Sequence, residues 1–353
     1  MSNILISTNE TSKSEIIIEN GISKNIKDFF ENKNYFLITN TTLAKLYPEF
    51  VYSFNDDKVI VIKDGEKYKN QKTYNQIIEK LLAKKIERKD CIVALGGGVV
   101  GDLAGYVAST ILRGVELIQV PTTLLAMCDS SIGGKTGYNT QFGKNLVGSF
   151  YFASKVIIDP EFLFTLNDYE YKCGLGEVLK YAFIEKSAQM AQSFDLLNFL
   201  EVNQVQDVKY EMKNIIEACA KIKANVVCLD KKEGGLRKIL NFGHTFAHPI
   251  ETLAKYKNIS HGKAVSWGMA MASNLAKNIG KIDENYYKQI VSLLEKFELL
   301  DKKIKFPKNK IVDLMFQDKK VENKKINLLL PVGFAQVELF DNIDLPSIKD
   351  CLP

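Results

Sequence analysis

Three consecutive glycines, Gly96, Gly97 and Gly98, follow a short apolar run at residues 91–95. The run has the length and composition of a buried strand, so the glycines mark a turn at its end. Similar runs lie at residues 35–39, 59–62 and 116–120, and helix-like segments at residues 42–47 and 72–86 lie between them. Strands that alternate with helices predict an α/β domain with a parallel, Rossmann-like sheet.

The glycine turn also fits a nucleotide site. Gly96, Gly98 and Gly101 match the pattern GxGxxG, in which missing side chains let a helix N-terminus approach a pyrophosphate. Two features depart from that fingerprint: the turn follows a later strand, and Pro121-Thr122-Thr123 stands where a ribose-binding acid is expected. A closely packed strand-to-helix turn therefore remains an alternative interpretation.

Two polar segments strengthen the nucleotide interpretation. Residues 64–69 follow a predicted strand and offer a carboxylate pair for ribose hydroxyls. Residues 129–137 and 143–145 form a glycine- and lysine-rich array suited to phosphate or carboxylate oxygens. Each segment alone could be a solvated loop. Together they follow predicted strands, where α/β proteins bind ligands.

The second half of the chain has a different character. Helical periodicity covers residues 168–186, 205–229, 245–255, 264–279 and 285–297, and a strand-like run returns at residues 326–330. We therefore predict an NAD-binding α/β domain at residues 1–165 and a mainly α-helical domain at residues 166–353. The active site would lie in the cleft between them.

All three histidines of the chain, His244, His248 and His261, lie in this second half. His244 and His248 are four residues apart and would share one face of a helix. Imidazole is the usual neutral nitrogen ligand of zinc and the usual proton carrier near neutral pH, so the cluster predicts a metal or catalytic site. Thr245 stands where a zincin protease has its glutamate, which argues against that class. Partly buried, hydrogen-bonded structural histidines remain the alternative.

A carboxylate would complete a metal site, because two imidazoles and one carboxylate are a common catalytic zinc set. The best candidate is Glu177, which stands among apolar residues of a predicted helix. Lys180, three residues on, could instead form an ordinary helix ion pair with it. The residues alone leave open which two histidines would bind the metal.

The composition fits a protein with a small anionic substrate. The net charge of +5 comes from 47 basic and 42 acidic residues spread along the chain, which argues against nucleic acid as a partner. Six cysteines without a CxxC pair indicate reduced thiols. The polar N-terminus and the lack of an apolar stretch of about 20 residues predict a cytoplasmic protein without a membrane span.

Taken together, these segments resemble the dehydroquinate synthase family of the shikimate pathway. The resemblance rests on the order and spacing of residues 64–69, 96–102, 121–125, 129–136, 143–145, 176–181, 235–237, 240–245 and 261–262. It implies conversion of 3-deoxy-D-arabino-heptulosonate 7-phosphate to 3-dehydroquinate and phosphate. The implied steps are transient oxidation by bound NAD, phosphate elimination, reduction, ring opening and intramolecular aldol closure, with Zn²⁺ or Co²⁺ bound.

The resemblance also implies roles for individual residues. The metal ligands would be Glu177, His244 and His261, and His248 would meet the substrate without binding metal. NAD would be held by Asp64, Gly65, Glu66, Lys67, Tyr68, Lys69, Gly98, Val99, Val100, Gly101, Asp102, Thr122, Thr123, Lys135, Lys144, Phe162, Leu163, Phe164 and Thr165. The substrate would be held by Asp129, Lys135, Lys180, Lys223, Arg237, Asn241 and either Lys319 or Lys320. Arg113 would reach the phosphate in the partner subunit of a homodimer.

Three residues depart from the family pattern, which has Gly at Ala247, Ala at Pro249 and Glu at Lys263. A proline within a helix removes a backbone donor. We therefore expect the helix to begin at about residue 245, so that Pro249 falls in its first turn. We expect Lys263 to point to solvent.

Three other functions compete with this interpretation. A metal-dependent polyol dehydrogenase would release NADH and would not need the basic set of Lys135, Lys144, Lys180, Lys223 and Arg237. Another sugar phosphate cyclase would make an inosose or a valiolone, whereas Asn241, Lys223 and Arg237 favour the carboxylate-bearing heptulosonate. A nucleotide sensor with a structural metal would need a fourth ligand, and the sequence offers three convincing ones.

Overall fold

The computed structural model describes residues 1–9, 12–30, 33–189, 194–254, 259–300, 307–317 and 326–352. The chain divides into two compact units, Met1–Leu166 and Asn167–Pro353, each with its own buried apolar core. Lys319 and Lys320, one of which was predicted to meet the substrate, lie outside the described residues.

A parallel sheet forms the centre of the first unit. Its described strands are β1 (Ser2–Asn9), β2 (Ser12–Ile18), β3 (Tyr35–Asn40), β4 (Val59–Ile62), β5 (Cys91–Gly96), β6 (Glu116–Pro121), β7 (Lys135–Thr140), β8 (Gly143–Phe150) and β9 (Lys155–Ile158). Seven of them pair in the order β1-β2-β9-β6-β5-β3-β4. The β1–β2 pair is antiparallel, and the other pairs in this sheet are parallel. Strands β7 and β8 form a separate antiparallel hairpin.

The helices of this unit are α1 (Thr41–Leu46), α2 (Pro48–Ser53), α3 (Gln71–Ala83) and α4 (Gly98–Thr110). Ile77 and Leu81 are buried on α3, as its helical periodicity predicts. Helix α4 packs on β5 and β6. Strand β5 is buried along its whole length, which is typical of a strand covered on both faces.

The carboxyl ends of the parallel strands lead into the predicted NAD segments. Strand β4 is followed by Asp64, β5 by the glycine turn, β6 by Thr122, and β9 by the 3₁₀ turn Pro160–Thr165. Strand β3 lies between β4 and β5, so successive strands are added on opposite sides of it. Open α/β sheets bind ligands at such a switch point, beyond the carboxyl ends of the strands.

The predicted parallel α/β sheet is confirmed. The predicted strands at residues 35–39, 59–62, 91–95 and 116–120 agree with β3 to β6 within one residue. The strands β1, β2, β7, β8 and β9 were not predicted. Strand β8 is exposed or half-buried throughout and has no apolar run, so the glycine- and lysine-rich array is partly a hairpin instead of a loop.

The second unit is mainly helical, as predicted. Its described elements are α5 (Asp168–Ile184), α6 (Leu196–Val202), α7 (Val205–Tyr210), α8 (Met212–Leu229), α9 (His244–Leu253), α10 (His261–Asn278), α11 (Glu284–Lys296), α12 (Lys308–Gln317), β10 (Leu328–Gly333), β11 (Gln336–Phe340) and α13 (Leu345–Asp350). Strands β10 and β11 pair in antiparallel fashion. Among the helices described in both units, none combines the length and apolar character that a membrane span requires.

The prediction of one continuous helix at residues 205–229 is wrong. Glu211, with φ −95° and ψ 16°, separates α7 from α8. The buried residues Val208, Met212 and Ile215 keep helical spacing through this point. The break therefore leaves no trace in the apolar periodicity.

Helix α10 packs against α5 and α9 through direct backbone contacts. A Cβ atom on Gly262 would overlap the carbonyl oxygen of Cys173 in α5, and one on Gly176 would overlap that of Gly262. A Cβ atom on Gly268 would overlap the carbonyl oxygen of Gly243, which precedes α9. Glycine at these crossings lets the three helices approach more closely than larger residues would allow.

Helix α9 begins at His244, after Gly243 in the left-handed conformation with φ 81°. Only glycine adopts this conformation readily. Pro249 is therefore the sixth helical residue, and the expectation that it would fall in the first turn is wrong. Its ring removes the N–H group that would bond to the carbonyl of Thr245. The contact of α9 with α10 holds the helix in place despite this loss.

We expect Gly262→Ala to destabilise the second unit. In an unobstructed helix this change gains up to about 1 kcal/mol, but here the methyl group overlaps a carbonyl oxygen. The free energy of unfolding, measured with urea, should fall by roughly 1–3 kcal/mol. Gly333→Ala is the control, since its Cβ would meet Gln336 Oε1 at 4.0 Å. Unchanged stability of Gly262→Ala would contradict the close crossing.

Candidate active site

Three helices of the second unit bring Glu177, His244 and His261 together. Glu177 lies in α5, His244 begins α9 and His261 begins α10. Glu177 Oε1 is 3.6 Å from His244 Nε2 and 3.3 Å from His261 Nε2. One potential ligand atom from each residue lies within 4.8 Å of the other two. Within the described ranges, no other group of His, Cys, Asp and Glu offers three ligands in this way.

The other ring nitrogen of each imidazole is also engaged. His244 Nδ1 is 3.2 Å from the carbonyl oxygen of Phe242, and His261 Nδ1 is 3.4 Å from Glu251 Oε1. With the proton on Nδ1, both rings donate in these contacts and present the lone pair of Nε2 toward Glu177. Metal-binding histidines are commonly oriented by this kind of contact.

Burial and nearby carboxylates change the histidine pKa values in opposite directions. Burial lowers the pKa of His244 well below its usual value, so this imidazole is neutral. Burial also acts to lower the pKa of His261, but hydrogen bonds with Glu177 and Glu251 outweigh it and raise the pKa to about 10. The two carboxylates thus favour positive charge at His261, which a cation at Nε2 would supply in place of the proton.

The donor set fits a divalent transition metal. Two imidazole nitrogens and one carboxylate oxygen form a common catalytic zinc site with one position open to substrate. Glu177 is 1% exposed, so water competes little for its oxygens. His248 is half-buried and outside the set, with its ring centroid 5.7 Å from that of His244.

Basic side chains are buried near Glu177 or on elements that contact α5. Lys180 forms an ion pair with Glu177 and is itself 1% exposed. Lys223 in α8 and Arg237 in the 3₁₀ turn Leu236–Asn241 are also buried, and both elements contact α5. Burying cations is costly unless negative charge accompanies them. Glu177 supplies such charge to Lys180, and buried positive charge attracts anions more strongly than charge at an exposed surface.

Local hydrogen bonds hold the turn that carries Arg237 and Asn241. Arg237 donates from its backbone N–H to Asp230 Oδ2 at 3.0 Å and from Nη1 to the carbonyl oxygen of Lys231 at 2.7 Å. Asn241 Nδ2 donates to Glu233 Oε1 at 2.6 Å. Both side chains are thus oriented by the protein itself.

In the first unit, close packing accounts for all three glycines at the turn. A Cβ atom on Gly98 would lie 3.1 Å from Ser130 Oγ. A Cβ atom on Gly96 would lie 2.7 Å from that of Val100, and one on Gly97 would lie 3.0 Å from Thr123 Cγ2. The alternative interpretation, a closely packed strand-to-helix turn, therefore explains why glycine occurs at these positions. Gly97 provides no side-chain cap for α4, which begins at Gly98. The first N–H groups of α4 can therefore bind an anion such as a pyrophosphate.

Lys69 joins three of the predicted NAD segments. Its Nζ donates to Asp102 Oδ2 at 2.5 Å and to Asn145 Oδ1 at 2.6 Å. Glu66 Oε1 accepts from Asn139 Nδ2 at 2.7 Å. These bonds connect residues 64–69 to the start of α4 and to the β7–β8 hairpin. Lys69 is buried and engaged in these bonds. It therefore holds the neighbouring segments in place instead of extending toward a ligand.

Residues in α1 and on either side of it hold Asp64 and Thr165, two of the residues predicted to bind NAD. The Asp64 carboxylate accepts from Asn40 Nδ2 at 3.1 Å and from Thr42 Oγ1 at 2.8 Å. The Tyr47 hydroxyl, just beyond α1, is 2.6 Å from Thr165 Oγ1. Asp64 is exposed, so its oriented carboxylate remains accessible to a ribose.

The remaining predicted residues have varied environments. Lys135 and Arg113 are exposed, Lys144 and Asp129 are half-buried, and the buried Thr122 donates its N–H to the carbonyl of Gly96. Gly65, Tyr68, Val99 and Leu163 are half-buried, Val100, Gly101 and Phe162 are buried, and Lys67 and Phe164 are exposed.

Lys263 is half-buried, so it does not simply point to solvent as expected. Hydrogen bonding to Lys172 lowers the pKa values of Asp168 and Glu298, and Lys263 adds a weaker effect in the same direction. Its charge therefore acts on acidic residues other than the proposed ligands.

Sequence reasoning missed Glu251, Asn40 and Tyr47. Glu251 stands seven residues after His244 in α9, two helical turns along nearly the same face. That spacing is a signal that could have indicated Glu251. Asn40 and Tyr47 have no such signal, because their partners Asp64 and Thr165 are distant in the chain.

Comparison with known proteins identifies relatives across both units. The 3-dehydroquinate synthase N-terminal model matches residues 59–173, and the corresponding C-terminal model matches residues 174–321. The 3-dehydroquinate synthase of Campylobacter hominis is 41% identical over 327 residues, covering 90% of this chain and 92% of its own. That of Alkaliphilus metalliredigens is 41% identical over 305 residues, covering 86% and 85%.

Solved structures share the fold over nearly the whole chain. A 2-deoxy-scyllo-inosose synthase complexed with carbaglucose-6-phosphate, NAD⁺ and Co²⁺ has a TM-score of 0.85 at 25% identity, covering 99% of this chain and 98% of its own. A probable glycerol dehydrogenase from Sinorhizobium meliloti has a TM-score of 0.64 at 14% identity, covering 95% and 94%, and shows the fold alone. From the family models and the curated relatives, the chain belongs to the 3-dehydroquinate synthase family.

Proposed function

We propose that the chain converts 3-deoxy-D-arabino-heptulosonate 7-phosphate to 3-dehydroquinate and phosphate. The observation that carries the proposal is the convergence of Glu177, His244 and His261, beside the buried Lys180, in a member of this family. The enzyme is then a carbon–oxygen lyase that requires NAD and a divalent metal, Zn²⁺ or Co²⁺.

In this proposal the second unit holds the metal. Glu177 would bind through Oε1, and His244 and His261 through Nε2. A divalent cation held by these residues would supply Lewis acidity toward a substrate hydroxyl, which would favour oxidation of that alcohol. His248, one turn after His244 on α9, would exchange a proton with a substrate hydroxyl.

The first unit would hold NAD at the carboxyl ends of its strands. The N–H groups at the start of α4, from Gly98 onward, would bind the pyrophosphate. Asp64, oriented by Asn40 and Thr42, would accept hydrogen bonds from ribose hydroxyls. NAD held by these residues would supply a reversible hydride acceptor, and the overall reaction would be redox-neutral.

The buried cations suit a substrate with a carboxylate and a phosphate. Lys180, Lys223 and Arg237 place positive charge where the dielectric constant is low, which strengthens its attraction for anions. Asn241 adds an oriented amide. A phosphate held by lysines retains free oxygens that can take the proton released on elimination. The protein then needs no separate carboxylate base for this step.

The same cations weigh against a polyol dehydrogenase. A phosphate or carboxylate is attracted to the buried positive charge of Lys180, Lys223 and Arg237, whereas an uncharged alcohol gains nothing from it. A related cyclase acting on a different sugar phosphate is a closer rival, because it would also need a cationic site. The curated relatives at about 41% identity support the heptulosonate substrate over that rival.

We also propose a cytoplasmic homodimer in which Arg113 reaches the substrate phosphate bound by the partner subunit. Arg113 is exposed, and both it and Leu112 have left-handed backbones, with φ 67° and 49°. Such conformations are costly for residues with large side chains and are often retained at functional sites. All six cysteines are free thiols, which suits a reducing compartment.

The first test is an assay of phosphate release from the heptulosonate phosphate, with NADH absorbance followed in parallel. Stoichiometric phosphate without accumulating NADH is expected, and a chelator should abolish it. NADH accumulation with glycerol-like alcohols, without phosphate release, would indicate a dehydrogenase instead.

The second test separates the histidines. We expect His244→Ala and His261→Ala to lose most of the bound metal, whereas His248→Ala keeps it and loses about 10²–10⁴-fold in turnover. Metal analysis of the three purified variants checks this. Equal zinc content in all three would refute the assignment of ligands.

The third test concerns Arg113. Arg113→Ala and His244→Ala should each be inactive alone. After subunit exchange in a 1:1 mixture, half the dimers are mixed, and each has one complete site of two. Activity should therefore recover to about one quarter of wild type. No recovery, with exchange verified by mass spectrometry, would count against an arginine acting in the partner's site.

A further inference from the structure

A second buried carboxylate, Glu251, lies beside the proposed metal site. It belongs to α9 and is 5% exposed. Its Oε1 is 3.4 Å from His261 Nδ1, on the side of the ring away from Glu177. It is not in the group of potential ligands formed by Glu177, His244 and His261. Glu251 therefore touches the site through His261.

The two imidazoles differ in what holds their Nδ1 atoms. His244 meets a neutral backbone carbonyl, that of Phe242, whereas His261 meets the Glu251 carboxylate. A carbonyl mainly orients a ring. A carboxylate also draws the Nδ1 proton toward itself, which makes Nε2 a stronger electron donor. His261 consequently stands between two acidic residues, Glu177 at Nε2 and Glu251 at Nδ1.

We propose that Glu251 is a positioning residue that holds His261 for metal binding and adds a second negative charge to the metal's surroundings. The proposal rests on the metal site of the proposed function.

The charge of Glu251 matters because Lys180 is already paired with Glu177. This buried lysine offsets the charge of the one carboxylate among the proposed ligands. Glu251 restores negative charge from the far side of His261, where it favours a cation without occupying a ligand position. Orientation and charge are thus two separable contributions of one side chain.

The experiment compares Glu251→Gln and Glu251→Ala with wild type. The glutamine oxygen can still accept from His261 Nδ1, so this variant removes mainly the charge, whereas alanine removes the contact as well. Zn²⁺ and Co²⁺ affinities are measured by competition with a chromophoric chelator, without substrate or NAD. We expect Glu251→Gln to bind each metal 10–100-fold more weakly than wild type, and Glu251→Ala at least as weakly.

Glu185→Gln is the matched control. Glu185 is a buried carboxylate at the end of α5 that accepts from the backbone N–H of Leu196 at 3.1 Å, and it does not touch the proposed ligands. Its substitution should leave metal affinity within about twofold. Thermal unfolding of the metal-free proteins checks that loss of affinity does not reflect loss of folding.

A spectroscopic measurement tests the contact itself. The cobalt-loaded wild type should show two shifted, exchangeable proton resonances, one from the Nδ1–H of each bound histidine. In Glu251→Ala, one of them should exchange faster with solvent. Wild-type affinity in Glu251→Gln, or two resonances unchanged in Glu251→Ala, would overturn the proposal while leaving the metal site standing. Failure of wild type to bind either metal would overturn the proposed function as well.

Discussion

The geometry of the proposed metal site depends on backbone contacts along α10. Gly262 meets the Cys173 carbonyl in α5, and Gly268 meets the Gly243 carbonyl before α9. The first contact lies next to His261 in the chain, and the second adjoins His244. Because no side chain separates the helices at these points, their relative positions have little freedom. The ligand atoms are therefore placed by helix packing and need little rearrangement to receive a cation.

This packing also keeps several charged groups out of water. Glu177, Glu251, Lys180 and Arg237 are all buried in the second unit. Such groups add little to stability compared with apolar residues of similar size. Under the proposed function they serve a bound cation and a bound anion. In the first unit the polar groups are arranged differently, since Lys69, Asp102 and Asn145 form a network among the segments predicted to hold NAD.

Local sequence pattern was sufficient to predict one group of features. The strands β3 to β6 are short apolar runs, and Glu177 and the three clustered histidines are residue types of a metal site. The choice of His244 and His261 among the histidines came from the family resemblance. Features that depend on contacts distant in the chain were missed. The hairpin β7–β8 lacks an apolar run, the break at Glu211 does not disturb helical periodicity, and the glycines of α10 owe their role to carbonyl groups in other helices. The position of Pro249 within α9 was mispredicted for the same reason. The packing of α9 compensates for a residue that is unfavourable inside a helix.

The most direct test of the central claim is X-ray absorption spectroscopy of the zinc-loaded protein. The structure predicts nitrogen and oxygen neighbours at about 2.0–2.1 Å, with outer scattering from two imidazole rings. It also predicts that the scattering of both rings remains in His248→Ala, because His248 lies outside the proposed ligand set. A sulfur neighbour at about 2.3 Å, or outer scattering from fewer than two rings in the wild type, would contradict the account.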